Sequence, residues 1–340
     1  MKEETELVSV IVVNWNGEEH LEDCFNSLLK QTYPKLELIL VDNDSEDGSL
    51  EYMRSHYPMV GIIQNRENLG FGAAVNRGLE RAQGFFILFL NNDLYLDENC
   101  VAELIKAAQD EGVGGVVPKI LLFREPGRIN SFGVAMNYLG MAWPKYFERE
   151  DGRYLEREEC SCGGIFLSRR TLLKELGGFD EALFLYHEDS DLSWRIRLLG
   201  KKLVVHPQAV LYHKYHFARN PNKFYYSEKN RVCMLFKNYT LKALILILPA
   251  LLFLEIAELA FSLRAGWFRK KVLSYKEIGL SLPAILKKRR VVQKTRKVKD
   301  AHIVSLFLGG LQVVGLKNRL LDWALSPLLA FYWKLIKWII

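Results

Sequence analysis

Residues 9–43 read SVIVVNWNGEEHLEDCFNSLLKQTYPKLELILVDN: a strand-forming run, a helical run and a second strand-forming run in succession. The outer runs, 9–15 and 36–43, carry Val, Ile and Leu on consecutive residues, as strands buried on both faces must. Between them Leu21, Phe25, Leu28 and Leu29 recur at helical spacing and predict a helix over 18–32. The alternation continues outward, with GIIQN (61–65) and FFILFLNN (85–92) as strands and 47–57 and 72–83 as helices. These are parallel βαβ units. The fold class is therefore α/β, a doubly wound, Rossmann-like, mostly parallel sheet with its ligand site expected at the carboxyl ends of the strands.

After Asp93 the pattern loosens into a helix at 97–110, a strand near 113–121, a turn-rich stretch through 124–155, CSCGGIFLSRR at 160–170, a helix starting near Glu188 and a strand KLVVHP at 202–207. A compositional break near Tyr226 separates an α/β domain, 1–226, from a helical basic and apolar region, 227–340. Its apolar runs are ALILILPALLFL (243–254), IVSLFLGGLQVVGL (303–316) and ALSPLLAFYW (324–333). Each is shorter than the roughly 20 residues a spanning helix needs, and Pro249, Glu255 and Glu258 interrupt the best of them. Helices lying in a membrane plane are expected, with Trp323, Trp333 and Trp338 as interfacial anchors. A helical subdomain or a dimer interface would suit the same runs.

The 340 residues carry a net charge of +6, unevenly spread. Segment 264–299 holds thirteen Lys or Arg against one acid, Glu277, so the remainder is acidic. A basic apolar tail on an acidic body predicts contact with an anionic membrane surface. Nucleic acid is not expected as a partner, because the most basic stretch, KKRRVVQKTRK, lacks interleaved aromatics. Five scattered cysteines do not form a disulfide framework, and the acidic N-terminus MKEETELVSV lacks the pattern of a secretory leader. A reduced, cytosolic setting follows.

Four clusters stand where predicted strands end. Asp42 closes the second strand within VDNDS, where a carboxylate can accept hydrogen bonds from a nucleoside, although turn and cap duties also favour Asp and Ser there. Gly70 and Gly72 open a helix in ENLGFGAAVNRG and let backbone approach a phosphate or a base. The third position of a dinucleotide fingerprint holds Val75, however, and the motif follows the third strand, so a nicotinamide site is excluded. Asn91-Asn92-Asp93 follows FFILFL, and a carboxylate beside neutral amides suits a hard divalent ion shared with a diphosphate. The fourth cluster is YHEDSDLSWRIRLL at 186–199, in which Leu192, Ile196 and Leu199 make a buried stripe and Asp191 to Arg195 a surface i,i+4 pair. Glu188 and Asp189 then fall in the first helical turn, where the helix dipole keeps a carboxylate ionised and able to accept a proton. Acidic capping alone accounts for one acid, not for three and a histidine.

The ordered set VSVIVVNWNG, LILVDNDSEDGS, NRENLGFGAAVNRG, LFLNNDLYL, CGGIFLSRR and FDEALFLYHEDSDLSWRIRLLG resembles the inverting GT-A glycosyltransferases of family 2, in particular the rhamnosyltransferase-like branch, over about residues 8–235. The resemblance implies that Asp42 holds the nucleobase with Asn14 and Asn16 nearby, and that Asn68, Gly70, Asn76 and Asn92 lie along the donor. It implies a divalent metal, Mg²⁺ or Mn²⁺, on Asp93, with His213 of VLYHKYH as a further ligand; a surface histidine would fit the same pattern. Asp189 would be the catalytic base with Glu188 beside it. On the acceptor side, Gly163 and Gly164 would leave room for the incoming hydroxyl, with Asp191 and Arg195 close by and Cys160 and Cys162 as small wall residues. Asn91 departs from the usual Asp-x-Asp metal motif, which implies weaker metal affinity.

What the resemblance implies is transfer of a sugar, with inversion, from a nucleoside-diphosphate sugar to a hydroxyl of a glycan in cell-surface polysaccharide synthesis. The basic apolar tail points to a lipid-linked acceptor and to the cytoplasmic face of a membrane. Two alternatives remain at this stage: a synthase that glycosylates polyprenyl phosphate directly, and a nucleotide-sugar-binding protein without turnover.

Overall fold

The computed structural model describes residues 5–153, 156–214, 222–312 and 324–340. The expected βαβ units form: β1 (Val8–Asn14), α1 (Glu18–Leu29), β2 (Leu36–Asp42), α2 (Ser49–His56), β3 (Gly61–Gln64), α3 (Phe71–Arg81) and β4 (Phe86–Asn91). Every residue of β1 is buried, and its side chains alternate between two cores. Val8, Val10 and Val12 join one, with α1 and α4 (Cys100–Ala108), whereas Ile11 and Val13 join the other, with α3.

Beyond β4 come β5 (Leu94–Leu96), β6 (Val113–Leu122), β7 (Glu125–Ser131), β8 (Val134–Met136), β9 (Ala142–Pro144), β10 (Glu158–Glu159), β11 (Leu167–Arg169) and β12 (Lys202–His213). The main sheet runs β10-β12-β6-β11-β4-β1-β2-β3, with β5 on β12 and β7 on β6. Strands β1 to β4 are mutually parallel, and so are β6 and β12, while β11 lies antiparallel between β4 and β6. This short wedge merges two parallel sets into one sheet and leads from Gly163 and Gly164 into α5 (Arg170–Glu175).

α6 (Glu188–Leu198) is enclosed rather than half exposed. The stripe Leu192, Ile196 and Leu199 is buried as expected, but Asp191 and Arg195 are 0% and 8% exposed, so the surface pair read from the sequence is a buried one. The reason is α7 (Lys223–Asn238), which runs through position 226 and packs on the side of α6 that the helical period left polar. Arg195 donates through Nε to Asp191 at 2.8 Å and through its other nitrogens to the carbonyls of Leu176 and Gly178. Lys237 and Asn238 of α7 meet the other Asp191 oxygen at 2.7 and 3.0 Å.

The C-terminal chain forms α8 (Leu241–Ala265), α9 (Phe268–Thr295), α10 (Asp300–Val304) and α11 (Ser326–Ile336). The expectation of apolar pieces about a dozen residues long is corrected here, because α8 runs 25 residues straight through Pro249, Glu255 and Glu258. It is the one described helix long and apolar enough to cross a membrane. Trp333 is corrected too: it is 5% exposed and stacks on Tyr138 at 4.6 Å, whereas Trp338 is 84% exposed. Trp323 lies outside the described residues. Helices α7, α8, α10 and α11 share one core with Met136, Tyr138 and Trp194 of the first half. The five cysteines are all free and buried.

Replacing Asp191 by Ala leaves Arg195 and Lys237 buried without their counter-charge, and we expect a loss of about 3–5 kcal/mol. Urea unfolding followed by circular dichroism measures it, and a loss below about 1 kcal/mol would show that the ion pair does not hold α6 in place.

Candidate active site

The four predicted clusters converge on the carboxyl edge of the sheet. Asn14, the last residue of β1, donates through Nδ2 to Asp42 Oδ2 at 2.9 Å and to Ser45 Oγ at 3.1 Å. Its Oδ1 accepts from Asn92 Nδ2 at 2.6 Å, so one amide bridges the ends of β2, β1 and β4. The bridge requires Gly17, where an added Cβ would sit 1.9 Å from Asn92 Nδ2. Asp42 also accepts from the Ser45 backbone N–H and hydroxyl at 3.0 and 2.6 Å. Asn16, at φ 48°, accepts from the Glu46 N–H at 2.8 Å and thereby fixes the loop over this end.

The glycine motif also packs against the chain that leads into α6. Asn68 Oδ1 accepts from the Gly70 N–H at 2.9 Å, an Asx turn that sets Gly70 at φ 81°. A Cβ on Gly70 would lie 2.1 Å from the Phe184 carbonyl oxygen, so the close approach that glycine permits is to the chain leading into α6. Asn76 is committed to the same segment: it donates to Phe179 O and Glu181 Oε1 and accepts from the Phe179 N–H, bracing α3 against residues 179–181. Asn43 and Asn65 went unread in the sequence; Asn43 donates to the Gly70 carbonyl at 3.2 Å and accepts from Asn65 at 2.8 Å.

Asp93, in the turn after β4, and His213, the last residue of β12, come together from 120 residues apart, with His213 Nε2 3.0 Å from Asp93 Oδ2. His213 Nδ1 lies 3.0 Å from Asn130 Oδ1. These two contacts fix the orientation of the imidazole at the carboxylate, the kind of support a metal-ligating histidine needs. The second oxygen of Asp93 is buried and has no hydrogen-bond partner among the described residues. Burial pushes the Asp93 carboxyl up, but the hydrogen bond and charge of His213 outweigh it and hold the group below its ordinary value. A carboxylate and an imidazole nitrogen with an unused buried oxygen fit a divalent ion of the Mg²⁺ or Mn²⁺ kind.

The helix bearing the other carboxylates is entered through strain. Tyr186 and His187 adopt φ of 68° and 67°, a left-handed region costly for both. Asn230 of α7 pins the turn by donating to the carbonyls of Leu185 and Tyr186 at 2.9 and 2.8 Å. His187 Nε2 lies 3.3 Å from Ser227 Oγ, and burial followed by the charge of Arg231 lowers its pKa to about 4, so the ring stays neutral. Asp189 Oδ1 accepts from the Ser190 N–H at 2.7 Å. Its other oxygen would stand 3.7 Å from a Cβ on Gly164 and Val134 Cγ2 3.9 Å from it, both ordinary contact distances; Gly163, by contrast, is required by Phe166, 2.6 Å from its virtual Cβ. Gly164, not Gly163, therefore borders the base without a clash.

Glu188 and Asp189 are both raised, and by different amounts. Burial lifts Asp189 to about 6, moderated by the Ser190 hydrogen bonds. Burial and then the charge of Asp189 lift Glu188 to about 8, and Glu188 Oε2 is buried without a partner among the described residues. Burial thus makes both groups weaker acids than in water, and the charge of Asp189 opposes ionisation of Glu188 beside it. Asp191 and Arg195, expected on the acceptor side, belong to the buried brace behind this turn.

Residues 9–177 match the family model Glycosyl transferase family 2. Over 240 residues, 62% of this chain and 78% of the relative, the sequence is 28% identical to an N-acetylglucosaminyl-diphospho-decaprenol L-rhamnosyltransferase of Mycobacterium tuberculosis. It is 29% identical over 222 residues, 62% of this chain and 17% of the relative, to the O-antigen biosynthesis protein RfbC of Myxococcus xanthus. The fold resembles that of the mannosyltransferase PcManGT from Pyrobaculum calidifontis in complex with GDP-Man and Mn²⁺, at 20% identity and a TM-score of 0.51 over 89% of this chain and 86% of that one.

For Mn²⁺ bound in the presence of a nucleoside diphosphate and followed by electron paramagnetic resonance, we expect Asp93→Asn and His213→Ala each to weaken binding about 10–100-fold. Unchanged binding in both variants would remove the metal from this pair.

Proposed function

With residues 9–177 a glycosyl transferase family 2 domain, we propose that this chain moves a sugar, with inversion, from a nucleoside-diphosphate sugar to a hydroxyl of a lipid-linked glycan during cell-surface polysaccharide synthesis. The observation that carries the reading is the pair of stations at one sheet edge. Asp93 meets His213 at 3.0 Å, and the Asp189 carboxyl faces Gly164.

In this mechanism Asp189 removes the proton of the acceptor hydroxyl as its oxygen bonds to the anomeric carbon from the face opposite the leaving group. The anomeric carbon–oxygen bond breaks, and its electron pair leaves with the nucleoside diphosphate. A divalent ion held by Asp93 and His213 would supply positive charge to that diphosphate. Asp42, Asn14 and the 43–46 loop shape the donor end, and Gly164 leaves the acceptor its path to Asp189. Glu188 lies adjacent, where burial and the charge of Asp189 disfavour a second negative charge.

The acceptor class is supported by the rhamnosyltransferase relative, whose name specifies a diphospho-decaprenol acceptor, and by Lys223. This exposed residue opens α7, and its ammonium stands 5.9 Å from the ring centre of Tyr186, three residues before the base. A cation there suits the diphosphate that joins a glycan to its lipid carrier.

The test is release of nucleoside diphosphate from dTDP-, UDP- and GDP-sugars, first alone and then with a diphosphate-linked lipid acceptor. Asp189→Asn should bind donor normally and lose turnover about 10³-fold or more, whereas Glu188→Gln should keep most of it. Because the base acts only when ionised, kcat/KM should rise as pH passes about 6, the value to which burial raises Asp189, and this limb should persist in Glu188→Gln. If Glu188→Gln instead loses turnover and Asp189→Asn does not, Glu188 is the base. Donor binding without turnover in the wild type would favour the turnover-deficient reading that Asn91 motivates. Lys223→Ala should raise KM for the lipid acceptor about tenfold with kcat near wild type, the signature of lost ground-state binding.

A further inference from the structure

By length and composition α8 could cross a bilayer, since its 25 residues reach about 37 Å at 1.5 Å each. Both of its ends are nevertheless tied to one body. At the start, the Thr240 N–H donates to Asp300 Oδ2 at 2.9 Å, Lys242 reaches the Ile339 carbonyl at 2.5 Å, and the Tyr332 hydroxyl donates to the Leu246 carbonyl at 2.8 Å. Toward the other end, Glu255 and Glu258 pair with Arg231 of α7 at 2.5 and 3.1 Å and with Lys271 of α9 at 2.8 and 2.6 Å. Between these ties, Ala243, Ile247, Ala250 and Leu254 enter the core shared with Trp194 and Tyr239. A helix fastened along its length to a charged body cannot thread hydrocarbon without carrying those charges in with it.

The opposite face has no cover among the described residues. Leu241, Ile245, Leu248, Leu252, Ile256 and Leu263 of α8 are 44–68% exposed. α9 adds exposed Leu280 and Val291, interleaved with exposed Lys276, Lys287, Arg290 and Lys294, while Phe331 and Leu335 of α11 and then Trp338 continue the apolar surface. Scattered exposed leucines are ordinary, but such rows on three helices, with cations between them, are not. The cations argue for the partner's chemistry: on α9, Lys271 and Lys288 face inward to acids of the body, whereas these four lie outward beside apolar side chains. An anionic bilayer offers hydrocarbon and negative headgroups in the same interface.

We infer that the outer faces of α8, α9 and α11 form a monotopic seat on an anionic membrane, with α8 lying in the plane of the interface and not across it. The seat is linked to the active site by aromatic contacts. Trp267, between α8 and α9, stacks on Phe224 of α7 at 4.5 Å, and Tyr226, two residues on, stacks at 5.2 Å on Phe184 of the loop that enters α6. The inference deepens the lipid-acceptor reading by stating how the body meets the leaflet, and its test is independent of turnover.

The test uses the full-length protein with preformed vesicles of phosphatidylcholine, alone or mixed with phosphatidylglycerol. Flotation should occur with the anionic vesicles and persist in part at high salt, since apolar contacts outlast screening. A variant with Leu241, Ile245, Leu252 and Ile256 changed to Ser should lose flotation while its circular dichroism and donor hydrolysis stay at wild-type level, since these side chains leave no cavity. Lys242→Cys and Arg264→Cys, exposed at the two ends of α8 and off its apolar face, should both be labelled by an impermeant maleimide from outside intact vesicles, all native cysteines being buried. Labelling of one end only after lysis would show a crossing helix and overturn the inference. Wild-type protein that does not float, or that forms a dimer through this face instead, would overturn it as well. Flotation without donor hydrolysis would leave the seat intact and count against the catalytic reading alone.

Discussion

Asp191 is sealed from water, and a buried carboxylate persists only where its charge and lone pairs are met. Arg195 meets it from its own helix, and Lys237 and Asn238 from α7. Lys237 also holds Asp180 at 2.5 Å, and Asp180 in turn takes Lys288 of α9. One chain of alternating charge thus runs from α6 through α7 to α9, with Asp191, Lys237 and Asp180 at its buried centre. The position of α6 relative to the sheet edge, and with it the position of Asp189, depends on this chain.

Two residues earlier on the same helix the opposite arrangement holds. Glu188 is buried and Asp189 half-buried, with no lysine or arginine paired to either among the described ion pairs, and the first turn is entered through two residues with left-handed backbone. Both features cost stability, and Asn230 and the Asp191 brace offset them from either side. A carboxylate given a full salt bridge would be a poor proton acceptor, so a base is left without one. Residues 188–191 therefore divide their acids between chemistry and structure, a division that their shared charge conceals.

The basic tail divides in the same way. In sequence, 264–299 is one positive run, yet Lys271 sits among Glu228, Glu255 and Glu258, Lys288 faces Asp180, and Arg296 pairs with Asp300. Folding uses these as internal ties and leaves Lys276, Lys287, Arg290 and Lys294 outside. The acids within α8 that interrupt its hydropathy are the same groups that fasten it to α7 and α9. Read along the chain they look like breaks in an apolar segment; in three dimensions they fix which face of α8 turns outward.

The sequence by itself determined the βαβ order and the placing of Asp42 and Asp93 at the carboxyl ends of their strands. Local periodicity sets which residues form strands, and parallel strands bring their carboxyl ends together whatever follows. It also placed Glu188 and Asp189 in one helical turn, because that depends on neighbours in the chain. Only the tertiary structure decided that Asp191 and Arg195 are internal, that Asn76 braces residues 179–181, that Asn130 orients His213 from 83 residues away, and that α8 is one unbroken helix with a single free face. Those outcomes turn on which surface of one element another comes to cover. A helical period shows an apolar stripe, but it cannot show that a second helix, distant in sequence, brings matching charges to the polar side.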